Sequence, residues 1–105
     1  IAIDLDHYFV YQKRDGLRHG GKLYSPKTKI QMDIETDQPG VQIYTCGAFE
    51  ASIGKGGIPL HLHQGIALET QGFPDNPNHG NFPSSFLKAG DTYSSQTNFI
   101  FSLNK

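Results

Sequence analysis

Cysteine is nearly absent from this chain: Cys46 is the only one in 105 residues. No intrachain disulfide can form, and the composition fits a reducing compartment such as the cytoplasm. No stretch approaches the roughly 20 consecutive apolar residues of a membrane span, and no basic-then-apolar targeting pattern opens the sequence. No Asn-x-Ser/Thr acceptor occurs, since Asn76, Asn81 and Asn98 all fail the rule. Charge of one sign is lacking too. Nine basic and ten acidic residues give a formal net charge of -1, which argues against nucleic acid or a charged membrane as partner. Apolar residues make up only 36% of the chain, so any core is thin. The chain opens on Ile1-Ala2-Ile3-Asp4-Leu5-Asp6 with no initiator Met, which predicts a break inside a longer polypeptide.

What is present reads as β-structure. His7 to Tyr11 is rich in aromatic and β-branched residues and predicts a strand, followed by the Asp15-Gly16 turn signal. Leu17 to Tyr24 predicts a second strand, with Gly20-Gly21 marking a bulge. Ser25-Pro26 begins a turn. Ile30, Met32, Ile34 and Thr36 alternate with Gln31, Asp33 and Glu35, the period-two pattern of a half-buried strand. Gln38-Pro39-Gly40 breaks it, and Val41 to Thr45 resumes as a strand. Gly47 to Gly57 predicts a glycine-rich loop. The apolar run Ile66-Ala67-Leu68 predicts a buried strand within His63 to Gln71. Gly72 to Ser85 has the composition of an ordered loop, and Asp91 to Leu103 predicts the last strand. No helix longer than a turn and no dividing linker is expected. The fold class is all-β, antiparallel and sandwich-like, with strand edges that must be covered or will pair with another chain.

Four segments resemble the aldose 1-epimerase (galactose mutarotase) family, in family order. Leu5-Asp6-His7-Tyr8-Phe9-Val10 is similar to its Asp-His-x-Phe segment. Gln38-Pro39-Gly40-Val41-Gln42-Ile43-Tyr44-Thr45 resembles its Pro-Gly-Val-Gln-x-Tyr-Thr strand. His63 to Gln71 resembles its His-Ser-Gly-x-x-Leu-Glu-Thr-Gln strand, with Gln64 where Ser is frequent. Phe73 to Pro83 resembles its Pro-Asp-x-x-Asn-x-x-x-Phe-Pro loop. Leu87 to Tyr93 also fits, with Ala89 in place of the usual Pro. The resemblance implies that residues 1–105 are the C-terminal portion of a single β-supersandwich domain. It also implies interconversion of the α and β anomers of free aldohexoses such as galactose and glucose, without a cofactor. The family's acid histidine, a second active-site histidine and a substrate-binding arginine belong to an N-terminal half that this sequence lacks. None of His7, His19, His61, His63 and His79 sits in those motifs. A complementary N-terminal chain or subunit is therefore an expected partner, beside the monosaccharide.

Anomer exchange requires a base on the O1 hydroxyl and an acid on the ring oxygen. Glu69 is the candidate base: a carboxylate in a buried strand calls for a partner or a function, and burial would raise its pKa towards working pH. Asp6 is the candidate acceptor for sugar hydroxyls, with Asp4, of the same parity, as its rival. Gln42 can donate and accept at once, which suits vicinal hydroxyls. Tyr44 and Phe73 are candidates for an apolar wall against the sugar's C–H face, or for core packing. His7 is read as structural and Cys46 as inert.

Other readings were open on the residues. His61, His63 and Glu69 share parity, so a single strand could aim them at a transition metal as in a cupin. A non-catalytic carbohydrate-binding β-module or an inactive fragment would need only Asp6, Gln42 and Glu69. A hexose-6-phosphate epimerase would need cationic groups for the phosphate.

Overall fold

In a computed structural model, residues 4–48, 50 and 52–104 are described. The Ile1–Ile3 opening, and Phe49 and Ala51 of the glycine-rich segment, lie outside the described residues. Among the described residues eight strands and two single turns of 3-10 helix follow one another: β1 (Asp6–Val10), β2 (Arg18–Tyr24), β3 (Ile30–Thr36), β4 (Gly40–Tyr44), β5 (Ser52–Ile53), β6 (Pro59–Leu60), β7 (Ala67–Gln71) and β8 (Thr97–Leu103). The 3-10 turns are Lys55–Gly57 and Asn76–Asn78.

Two three-stranded antiparallel sheets result, ordered β1-β4-β7 and β2-β3-β8, with β5 and β6 as a separate small hairpin. The expected bulge appears in β2, where the register against β3 shifts between His19 and Gly21. Gln38-Pro39 carries the chain from β3 in one sheet directly into β4 in the other. That is the corner of a sandwich, made where Pro39 has no amide to offer a ladder.

The core sits at this corner. Ile34 of β3 and Val41 of β4 are the buried apolar side chains among the described residues, and Thr36 is fully buried beside them. A hydroxyl chain ties the sheets together: Thr97 Oγ1 lies 3.0 Å from Thr36 Oγ1 and 2.7 Å from Thr70 Oγ1 of β7. Each buried hydroxyl thereby finds a partner, as burial demands. Away from the corner the sheets part. Ile66, Leu23, Met32 and Phe101 line an open cavity of about 390 Å³, and along β8 exposure rises to 67% at Phe101 and 72% at Leu103.

Three expectations need correction. The segment from Gly47 to Gly57 is not loop throughout: it holds β5, paired with β6, and the Lys55–Gly57 turn. Regular pairing in the last strand begins at Thr97, not Asp91. The preceding backbone is committed elsewhere: the amide of Gln96 donates to the carboxylate of Asp37, and the hydroxyl of Tyr93 to Gln38 Oε1. The strand carrying Ile66-Ala67-Leu68 is not buried. It starts at Ala67, leaves Ile66 half exposed, and forms an edge of its sheet.

Candidate functional site

Strand register builds the site. Across β1, β4 and β7, Asp6 stands opposite Tyr44 and Ala67, Tyr8 opposite Gln42 and Glu69, and Val10 opposite Gly40 and Gln71. Residues in such cross-strand rows, and at every second position along a strand, share one face. The alternate set, Phe9, Val41 and Thr70, belongs to the face that turns Val41 towards the core. Asp6, Gln42, Tyr44 and Glu69 therefore project together from the outer face of the sheet. With Gln71 and Pro74 they line a cavity of about 370 Å³.

The amide of Gln42 donates from Nε2 to Asp6 Oδ1 at 2.7 Å. This bond orients the amide, so that Gln42 Oε1 faces away from Asp6. Asp6, Gln42 and Glu69 together bring oxygen acceptors to one concavity. Its described lining contains two carboxylates and no lysine, arginine or histidine. Such a set suits a ligand rich in hydroxyl donors and repels an anion.

Glu69 differs from expectation in its surroundings. Its side chain is exposed, on a strand at the edge of its sheet. Phe73 takes the packing alternative: it does not line the cavity that holds Asp6, Gln42 and Glu69. It stacks edge-on against Tyr8, with centroids 5.4 Å apart, and against Phe82 at 5.0 Å. Of the two candidate apolar walls, Tyr44 lies in the concavity and Phe73 props the strand beside it.

The rivalry between Asp4 and Asp6 has a geometric outcome. Asp4 Oδ1 turns to His63 Nε2 at 3.3 Å, passing so close to Gly47 that a Cβ there would lie 2.2 Å from it. Nδ1 of His63 donates to the Thr45 carbonyl at 3.0 Å. Asp4 lines an adjoining, smaller cavity and not the one shared by Gln42 and Glu69. The single-strand arrangement of His61, His63 and Glu69 is overturned. His61 and His63 fall in the turn between β6 and β7, and His63 takes a left-handed φ of 60°, so the parity argument fails.

Two residues that the sequence did not single out support the site. Tyr8 lies on the same face as Asp6, and its hydroxyl donates to the Gln71 carbonyl at 2.8 Å. Burial, and secondarily the neighbouring Tyr11, push its phenol up to about 12. Asn76 is buried and pins the loop after β7. Its amide donates to the Pro83 carbonyl, and its Oδ1 accepts from the amide and hydroxyl of Ser85 at 3.0 and 2.8 Å. The parity of Tyr8 with Asp6 was legible, but its partner 63 residues away was not.

Comparison with known proteins gives a consistent picture. The family model described as aldose 1-epimerase matches residues 2–99. Over 99 residues the chain is 35% identical to an aldose 1-epimerase of Escherichia coli (strain K12), covering 91% of this chain and 29% of that protein. It is 34% identical to a galactose mutarotase of Bos taurus and 32% identical to one of Homo sapiens, in both cases covering 93% of this chain and 29% of the relative. The chain thus spans under a third of the length of the curated relatives it matches.

Proposed function

Since this chain belongs to the aldose 1-epimerase family, we propose that it supplies the proton-accepting half of a site that interconverts the α and β anomers of free aldohexoses such as galactose and glucose. Glu69 is the general base. It takes the proton of the O1 hydroxyl as the C1–O5 bond breaks, while an acid protonates the ring oxygen. Rotation about C1–C2 and the reverse proton transfers give the other anomer, and no cofactor is required. Asp6 and the Gln42 carbonyl oxygen accept hydrogen bonds from the sugar hydroxyls, and Tyr44 lies against its C–H face. The observation that carries this reading is the Asp6–Gln42 pair at 2.7 Å sharing one cavity with Glu69. The two carboxylates in that lining, Asp6 and Glu69, favour an uncharged sugar over a sugar phosphate.

The acid is supplied by a complementary, N-terminal part of the same domain, on the same or another polypeptide. Two quantities support a missing complement. The accessible surface is 8181 Å², against roughly 5,800 Å² for a folded monomer of this mass. The radius of gyration is 16.7 Å, against roughly 13 Å for a compact domain of this length. The excess, about 2,300 Å², is the scale of an obligate interface. A covering layer would also desolvate Glu69.

A non-catalytic sugar-binding module is the second reading, favoured by the exposure of the Glu69 side chain. Polarimetry on freshly dissolved α-galactose and α-glucose separates the two. The protein at its native length is expected to accelerate mutarotation, and Glu69→Gln to lower that acceleration about 10²–10⁴-fold. An unchanged rate in the variant would remove Glu69 from the base role; binding without turnover in the wild type would favour the module.

A further inference from the structure

β1 and β7 are not neighbours: β4 lies between them. Asp6 on β1 and Glu69 on β7 must nevertheless keep a fixed spacing if one is to hold the sugar while the other takes its proton. We propose that Tyr8 is the positioning residue that sets this spacing, by bonding over β4 to the Gln71 carbonyl and so holding β7, with Glu69, at a fixed distance from Asp6. The inference rests on the reading of Glu69 as base.

Three observations carry it. The Tyr8 hydroxyl reaches Gln71 O at 2.8 Å, two residues from Glu69 on the same strand. The ring can cross β4 only because Gly40 has no side chain: a Cβ there would lie 2.4 Å from Tyr8 Cζ and 2.5 Å from its hydroxyl. The ring is itself held, since Phe73 packs edge-on against it at 5.4 Å and Phe82 backs Phe73 at 5.0 Å. β7 has particular need of such a strut, because among the described residues it is paired along one edge only. The phenol, pushed up to about 12, remains a donor throughout the range in which Glu69 would act.

The role predicts a specific kinetic signature. Asp6 and Gln42 bind the sugar in its ground state, whereas Glu69 acts as the O1 proton leaves. Loosening β7 should therefore lower kcat and spare KM. In the native-length protein, Tyr8→Phe keeps the ring and removes only the hydroxyl. We expect kcat to fall by about three- to tenfold with KM within about twofold. Hydrogen exchange of the amides in 67–71 should quicken while those in 30–36 keep wild-type protection. Wild-type kcat with unchanged exchange in 67–71 would overturn the proposal. A parallel rise of KM with protection lost in both sheets would overturn it too, by showing a merely structural role. A wild type without turnover would end the base assignment and the catalytic half of the proposal, while the exchange measurement still decides whether Tyr8 holds β7.

Discussion

At the scale of single residues, the chemistry of the site is a matter of which atoms can accept. Gln42 uses its amide nitrogen on Asp6, so the hydroxyl donors of a bound sugar meet carboxylate and carbonyl oxygens. Asp6→Asn retains an oxygen for Gln42 and converts the remaining acceptor into a donor. Loss of one charged hydrogen bond is worth about 1.5–3 kcal/mol, so KM for galactose should rise by about tenfold or more, with a smaller change in kcat. Initial-rate polarimetry across substrate concentrations measures both, and an unchanged KM would remove Asp6 from sugar binding. Asp6, Gln42 and Glu69 were all legible as candidates, because polar residues recur at strand parity within recognisable segments. Asp4 was equally legible and goes elsewhere, since His63 and the bare Cα of Gly47 draw its carboxylate to the turn after β4.

At the scale of elements, alternation located strands better than it located their limits. β3 runs from Ile30 to Thr36 as its period-two pattern predicts. The start of β8 was not legible, because Asp91 to Gln96 is chemically acceptable as strand and is diverted only by Asp37 and Gln38, residues distant in sequence. Asp37 makes this junction sensitive to acid. Its carboxyl is held below the usual range first by the amide of Gln96 and then by the side chain of Gln38. A depressed folded value means that the stability it contributes is fully present above the unfolded pKa of about 3.9 and is lost as pH falls through the folded value. Between pH 7 and 5, Asp37→Asn should be less stable than wild type, and the difference should shrink below about pH 4. Denaturant titrations at several pH values test this; a constant difference down to strong acid would show that ionisation of Asp37 is irrelevant. Half-exposed as Asp37 is, the effect will be small and reduced by salt.

At the scale of the whole molecule, the sheets share a corner built on Ile34, Thr36, Val41, Thr70 and Thr97, and then diverge. Phe99, Phe101 and Leu103 project from β8 with little cover. A contiguous exposed apolar surface of this kind marks an interface or invites aggregation. The 105-residue polypeptide by itself should therefore bind a hydrophobic dye such as ANS and sediment as an expanded species. Addition of a complementary segment of the family's domain should suppress the dye signal. Negligible dye binding by the isolated chain would contradict the idea of an uncovered core face.

The sequence by itself determined the all-β class, most strand positions, the β2 bulge and the family, because these follow from local backbone chemistry and from ordered short segments. Only the tertiary structure decided that Asp6, Gln42, Tyr44 and Glu69 open into one cavity while Phe73 and Asp4 do not, and that Glu69 stands on an uncovered edge strand. The physical reason is register. Pairing Tyr8 with Gln42 and Gln42 with Glu69 is set by contacts between residues far apart along the chain, and a shift of one residue would send each side chain to the opposite face.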